Sequence, residues 1–88
     1  MFTTWGVETT KTFNKEDLAH ALKELEHEEK YGAVLRAKGI VAGEGTWLHF
    51  DYVPGEPDVR EGKAGVIGRL CVIGFNLNET ALKTLFGV

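Results

Sequence analysis

One amphipathic helix constrains the fold more than any other feature of this sequence. Its apolar side chains recur at intervals of three and four residues and form a single stripe: Leu18, Ala21, Leu22 and Leu25. Asn14 is a favourable N-cap, so the pattern predicts a helix over residues 15–30. A helix with one apolar stripe must bury that stripe against another layer. Because the rest of the chain is mostly β-rich, that layer is predicted to be a sheet.

Four β-rich segments supply the sheet, over residues 2–13, 34–41, 47–53 and 66–75. The glycines at 43 and 45 favour a tight turn, so the second and third segments are predicted to form a hairpin. A second, short helix begins after Asn78 and ends at Gly87. The order is βαβββα. It predicts an α+β fold in which a mixed four-stranded sheet carries two helices on one face, as a single domain over residues 1–88.

Composition excludes several functional classes. Ten Lys and Arg against thirteen Asp and Glu give a net charge of −3, the wrong sign for a protein that holds phosphate backbones by charge. No apolar run approaches the roughly 20 residues of a membrane-spanning helix. The single cysteine, Cys71, cannot form an internal disulfide, and the N-terminus shows no secretory pattern. We therefore expect a cytoplasmic protein with neither a nucleic-acid nor a membrane partner.

A polar segment between the third and fourth predicted strands is a candidate second surface. It runs from Pro54 to Gly65 as a connection of about a dozen residues, a length that is typical of functional or mobile loops. Its acidic residues lack the regular spacing of a calcium loop. The sequence predicts a solvated loop here.

A His/Glu cluster on the first predicted helix is a candidate metal site. His20, Glu24 and His27 are spaced at i, i+4 and i+7, so they project from one side and could meet zinc or cobalt. The other interpretation is a solvated helix face, which the surrounding glutamates favour. The cluster lacks a fourth ligand, so a neighbouring molecule would have to complete the site.

His49, Asp51 and Cys71 suggest a nucleophile with its base, provided that the strand register brings them together. A lone cysteine within an apolar strand is more commonly a small core residue. We therefore expect no catalytic residues and no enzymatic activity in this chain.

Arg36 and Lys38 form a candidate docking site. They lie two positions apart in a predicted strand, so both point to the same side, where they could contact a partner or an anion. An ordinary solvent-facing side of a hairpin is equally compatible with the pattern. An RNA-binding motif is excluded because Lys38-Gly39 is followed by Ile40 and not by an aromatic residue.

The string Val-Leu-Arg-Ala-Lys-Gly-Ile-Val over residues 34–41 resembles the C-terminal domain of CobW-like proteins. The start of the first helix, the strand at Trp47 and Leu-Cys-Val-Ile-Gly-Phe-Asn-Leu over residues 70–77 follow in the order of that family. The resemblance covers nearly all of the chain. The family's phosphate-binding loop, guanine-reading motif and Cys-x-Cys-Cys metal motif are missing from these 88 residues.

The resemblance implies a non-catalytic binding or regulatory domain of P-loop GTPases that are linked to cobalamin synthesis and metal homeostasis. Its partner would be a protein, either a GTPase domain or a metal-requiring enzyme. Arg36, Lys38 and Gly39 are the expected contact residues, and no cofactor is expected in this chain. The alternative is a small metal-binding carrier that uses His20, Glu24 and His27.

Overall fold

A computed structural model describes all 88 residues, which form six strands and three helices. The strands are β1 (Thr3–Thr9), β2 (Thr12–Phe13), β3 (Ala33–Gly43), β4 (Trp47–Val53), β5 (Glu56–Gly62) and β6 (Gly68–Phe75). The helices are α1 (Lys15–Glu24), α2 (Glu28–Tyr31) and α3 (Glu79–Phe86).

All strands belong to one sheet in the order β1-β6-β3-β4-β5, and the short β2 pairs with β3. Every pairing is antiparallel except that of β2 with β3. The α+β class is therefore confirmed. The predicted count of four strands is wrong because the sheet has six, and the predicted count of two helices is wrong because there are three.

The segment from Pro54 to Gly65, predicted as a loop, contains an entire strand. Pro54 and Gly55 form a tight turn, in which Gly55 has a φ of 80° that favours glycine. β5 then pairs with β4 along its full length, with Val59 opposite Phe50. Strand β5 is polar because it lies at the edge of the sheet, where charged side chains and proline are common. Its composition therefore resembled that of a loop.

The helix predicted over residues 15–30 is two helices. Asn14 caps the first as expected, because its side-chain oxygen accepts from the backbone N–H groups of Glu16 and Asp17. After Glu24 the backbone bonds shorten to three-residue spacing and α1 ends. Acidic residues are unfavourable at a helix C-terminus and favourable at an N-terminus, which explains why Glu28 and Glu29 instead begin α2.

The predicted strand over residues 2–13 is also interrupted. β1 ends at Thr9, where the Thr9 hydroxyl accepts from the backbone N–H of Lys11 at 3.1 Å. The Lys11 ammonium donates to the Phe86 carbonyl at 2.6 Å and so binds the end of α3. The chain then adds β2 to β3 before it enters α1.

A single core joins the helices to one face of the sheet, which we call the inner face. It contains aromatic and aliphatic side chains from both layers: Trp5, Phe13, Leu18, Ala21, Leu22, Leu25, Tyr31, Val34, Ala37, Val41, Leu48, Phe50, Tyr52, Leu70, Val72, Leu82 and Phe86. No helix covers the opposite face, where the alternate residues of each strand are exposed or half-buried. This uncovered side is called the open face below.

Candidate interaction surface

Two rows of residues cross the open face perpendicular to the strands. One row contains Gly6, Cys71, Lys38, Asp51 and Asp58, and the other contains Glu8, Arg69, Ile40, His49 and Arg60. Each row takes one residue from each of β1, β6, β3, β4 and β5. The rows bring together residues that are far apart in the sequence, so the sheet register determines which charges become neighbours.

Arg36 and Lys38 share the open face, as the alternation of β3 predicted, but their surroundings differ. The Arg36 guanidinium donates from Nε and Nη2 to one Asp51 oxygen, at 3.3 Å and 3.1 Å. Arg60 and Arg69 are likewise paired, with Asp58 at 2.6 Å and with Glu8 at 2.8 Å. Lys38 forms no ion pair. Among the basic residues in the strands of this face, Lys38 is therefore the one whose charge is available to a partner.

Gly39 lies on the other side of β3 from Lys38. A Cβ added there would be 2.6 Å from the Phe50 ring and would also meet the Arg69 carbonyl oxygen. The absence of a side chain thus allows close packing of the core, and Gly39 contributes only backbone to the open face.

A groove of about 600 Å³ runs along the open face beside Lys38. Its apolar part comes from Ile40, Cys71 and residues 65–67, which precede β6, and its polar part from His49, Asp51 and three basic residues. Val66 is fully exposed and Ile40 remains 38% exposed. Apolar side chains beside a free ammonium are suited to contact another protein.

Cys71, His49 and Asp51 share this face but do not form a nucleophile and base. Cys71 lies in β6 and the other two lie in β4, so β3 separates them by two strand spacings of about 4.8 Å each. His49 Nε2 instead donates to the Lys63 carbonyl at 2.8 Å. The arrangement contains no hydrogen-bonded pair that could activate the thiol.

His20, Glu24 and His27 are not assembled into a metal site. His27 lies beyond the end of α1, with its ring nitrogens 3.5 Å from a Glu24 oxygen and 3.6 Å from a Glu29 oxygen. No three His, Cys, Asp or Glu side chains in the chain are grouped so that they could hold a metal ion.

A comparison with family models matches residues 2–87 to the cobalamin synthesis protein cobW C-terminal domain. The chain belongs to this family. Searching curated protein sequences gave no match.

Two solved structures share the fold of this CobW C-terminal domain. The crystal structure of the Zn(II)-bound YjiA GTPase from E. coli aligns with a TM-score of 0.76 at 20% identity, over 98% of this chain and 29% of that chain. A Zn(II)-bound triple mutant of the YjiA GTPase aligns with a TM-score of 0.78 at 20% identity over the same shares. The chain therefore spans less than a third of the length of these GTPases.

The structure adds groove residues of this CobW C-terminal domain that the sequence analysis did not single out. Ile40, Val66, Arg60 and Arg69 surround Lys38. Ile40 was detectable, because it follows Arg36 and Lys38 on the same side of β3 and is an apolar residue at an exposed position. Val66 and the two arginines could be placed in the groove only once the strand register was known.

None of the three helices is long and apolar enough to cross a membrane.

Proposed function

We propose that this chain is a non-catalytic protein-interaction domain that docks through its open face, around Lys38, onto the GTPase domain of a CobW-family protein. The observation that carries the proposal is the uncovered sheet face with a free ammonium beside exposed apolar side chains. Family membership supports the choice of partner, since the YjiA GTPase is more than three times as long as the part that this chain matches.

The proposed role is regulatory or structural association, in the service of cobalamin synthesis or metal homeostasis. The family description names cobalamin synthesis, and the YjiA structures are described as Zn(II)-bound. The metal would be handled by the partner, a GTPase or the metal-requiring enzyme that it serves. A single cysteine is consistent with a reducing compartment, so we propose that this association takes place in the cytoplasm.

The first experiment is to measure the size of the native polypeptide in its source cells with an antibody against this domain. A band several times larger than 9.7 kDa would place the GTPase partner in the same polypeptide. A band near 9.7 kDa would require a separate partner. Either result determines whether the next experiment searches for a contact within one chain or between two.

The docking surface is then tested with a photo-crosslinking residue in place of Val66, which lines the groove beside Lys38, and with the same residue in place of Lys23 as a control. Lys23 is exposed on α1, on the opposite side of the molecule from the groove. We expect mass spectrometry to find crosslinks from position 66 to peptides of a CobW-family GTPase domain and no such crosslinks from position 23. Crosslinks to that domain from Lys23 alone, or from neither position, would refute the proposed surface.

A further inference from the structure

The two outer edges of the sheet differ in a way that the proposed function does not use. β5 forms one edge and β1 the other, and each pairs with one neighbouring strand. β5 carries Pro57, which has no amide hydrogen, and four of its seven residues are charged. These features disfavour the pairing of another strand with the β5 edge. β1 carries only one charged residue, Glu8, so its edge lacks this protection.

β1 is also regular enough to accept another strand. All seven residues pair with β6 in one unbroken register, from Thr3 opposite Gly74 to Thr9 opposite Gly68. In an antiparallel strand the backbone groups point alternately to the two sides, so the outer side of β1 presents N–H and C=O groups with no strand partner. Thr4 and Gly6 are small and leave space beside this edge on the open face.

We propose that β1 pairs antiparallel with β1 of a second copy of this chain, around a two-fold axis at Gly6. Among registers with a two-fold axis at a residue, only this one pairs all seven residues of both strands. It places Gly6 opposite Gly6, Trp5 opposite Val7, Thr4 opposite Glu8 and Thr3 opposite Thr9.

This register is self-complementary. The one charged residue, Glu8, faces a threonine and not a like charge, and its carboxylate is already paired with Arg69 at 2.8 Å. Trp5 and Val7 form an aromatic and β-branched pair on the inner face, a favourable cross-strand combination. Inner-face residues meet inner-face residues, so the two sheets join into one and both open faces remain available. The dimer is therefore independent of the proposed docking function.

Sedimentation equilibrium of the 88-residue chain, at concentrations up to about 1 mM, tests the dimer directly. In the Gly6→Lys variant two ammonium groups would face each other across the axis, with Cβ atoms about 5 Å apart. We expect the dimer dissociation constant to rise about fivefold or more, and high salt to reduce this effect. A Cβ at Gly6 meets only the Leu70 carbonyl oxygen, at 3.7 Å, so the single chain accommodates the substitution.

A second pair of variants tests the register. Thr4→Lys places an ammonium opposite the Glu8 carboxylate of the second copy, and we expect it to lower the dissociation constant. Gly6→Ser adds no charge and serves as the neutral control, which should retain the dimer. Thermal unfolding of each variant shows whether it folds. If Gly6→Lys fails to fold, the effect of Thr4→Lys on the dissociation constant tests the proposed dimer.

A chain that stays monomeric at every concentration would overturn the proposal. A dimer that Gly6→Lys leaves unchanged would also overturn it, since the contact would then lie elsewhere. Weakening by Gly6→Lys without strengthening by Thr4→Lys would overturn the register about Gly6.

Discussion

At the scale of single residues, Gly39 is an example of a packing role in a segment that the sequence assigned to binding. It lies in β3 beneath the ring of Phe50, and β3 is an inner strand of the sheet. The neighbouring Lys38 points to the opposite side. Substitution at these adjacent positions should therefore separate the stability of the domain from its binding.

We expect Gly39→Ala to lower the free energy of unfolding by about 1–3 kcal/mol, because the added methyl group must displace the Phe50 ring and the Arg69 backbone. Gly6→Ala is the matched control, since a Cβ there makes only ordinary contact. Its effect should stay within about 0.5 kcal/mol. Urea unfolding of both variants gives the comparison, and equal stability of the two would contradict the packing role.

Tyr52 carries the one perturbed ionisable group. Its hydroxyl is buried with no hydrogen-bond partner. Burial raises the pKa of Tyr52 above its ordinary value of 10.0, and the charge of Glu26 raises this pKa further. Because the folded state holds the proton more tightly than the unfolded state, this contribution to stability is complete below pH 10. It is lost as the pH rises through the folded-state pKa.

Tyr52→Phe should remove part of the alkaline loss of stability. At neutral pH the variant should be as stable as the native chain or more stable, by about 1 kcal/mol, since it no longer buries an unpaired hydroxyl. The measurement is the unfolding free energy from pH 7 to 11, with Tyr31→Phe, the other tyrosine, as the control. An unchanged alkaline slope in Tyr52→Phe would contradict this assignment.

At the scale of elements, the break between α1 and α2 determines the arrangement of the His/Glu cluster. A continuous helix would have placed His20, Glu24 and His27 along one side at helical spacing. α1 ends at Glu24, so His27 lies beyond the helix, where its ring contacts Glu24 and Glu29. The arrangement of the three candidate ligands therefore depends on the residue at which α1 ends.

We expect calorimetric titration with zinc to show no stoichiometric binding to the 88-residue chain, because tight sites use four ligands in a closed shell. The same titration of the His20→Ala and His27→Ala double variant should give the same heats. Stoichiometric heat that the double variant abolishes would contradict this expectation and favour the metal carrier.

The sequence predicted elements whose boundaries depend on local chemistry. Asn14 and Asn78 cap their helices by accepting from backbone N–H groups, and Gly45 has the positive φ that the turn required. It did not predict β5, because an edge strand with one partly buried apolar residue, Val59, lacks the alternation of a half-buried strand. The ion pairs of Arg36 with Asp51 and of Arg69 with Glu8 were also beyond prediction, since they depend on the order and register of the strands.

At the scale of the whole molecule, the helices cover one face of the sheet and leave the other as a continuous surface that contains the unpaired cation of Lys38. Lys38→Gln should weaken binding to the GTPase domain about three- to tenfold without changing the melting temperature, since Lys38 has no ion pair to lose and glutamine adds no charge opposite Asp51. Lys15→Gln makes the same charge change in the first turn of α1 and should leave binding unchanged. Equal losses in both variants would indicate a general charge effect and not a docking site.

The position of β6 in the sheet has a consequence for how the protein folds during synthesis. β6 lies between β1 and β3 in the sheet, yet it spans residues 68–75 of 88. Trp5 therefore cannot pair with its partner Val72 until most of the chain has been synthesised. Pairing over such a long stretch of chain is slow, because a large loop must close before any contact forms. A ribosome therefore releases nearly the whole domain before its sheet can close. Until then, β1 and β3 lack the strand that joins them.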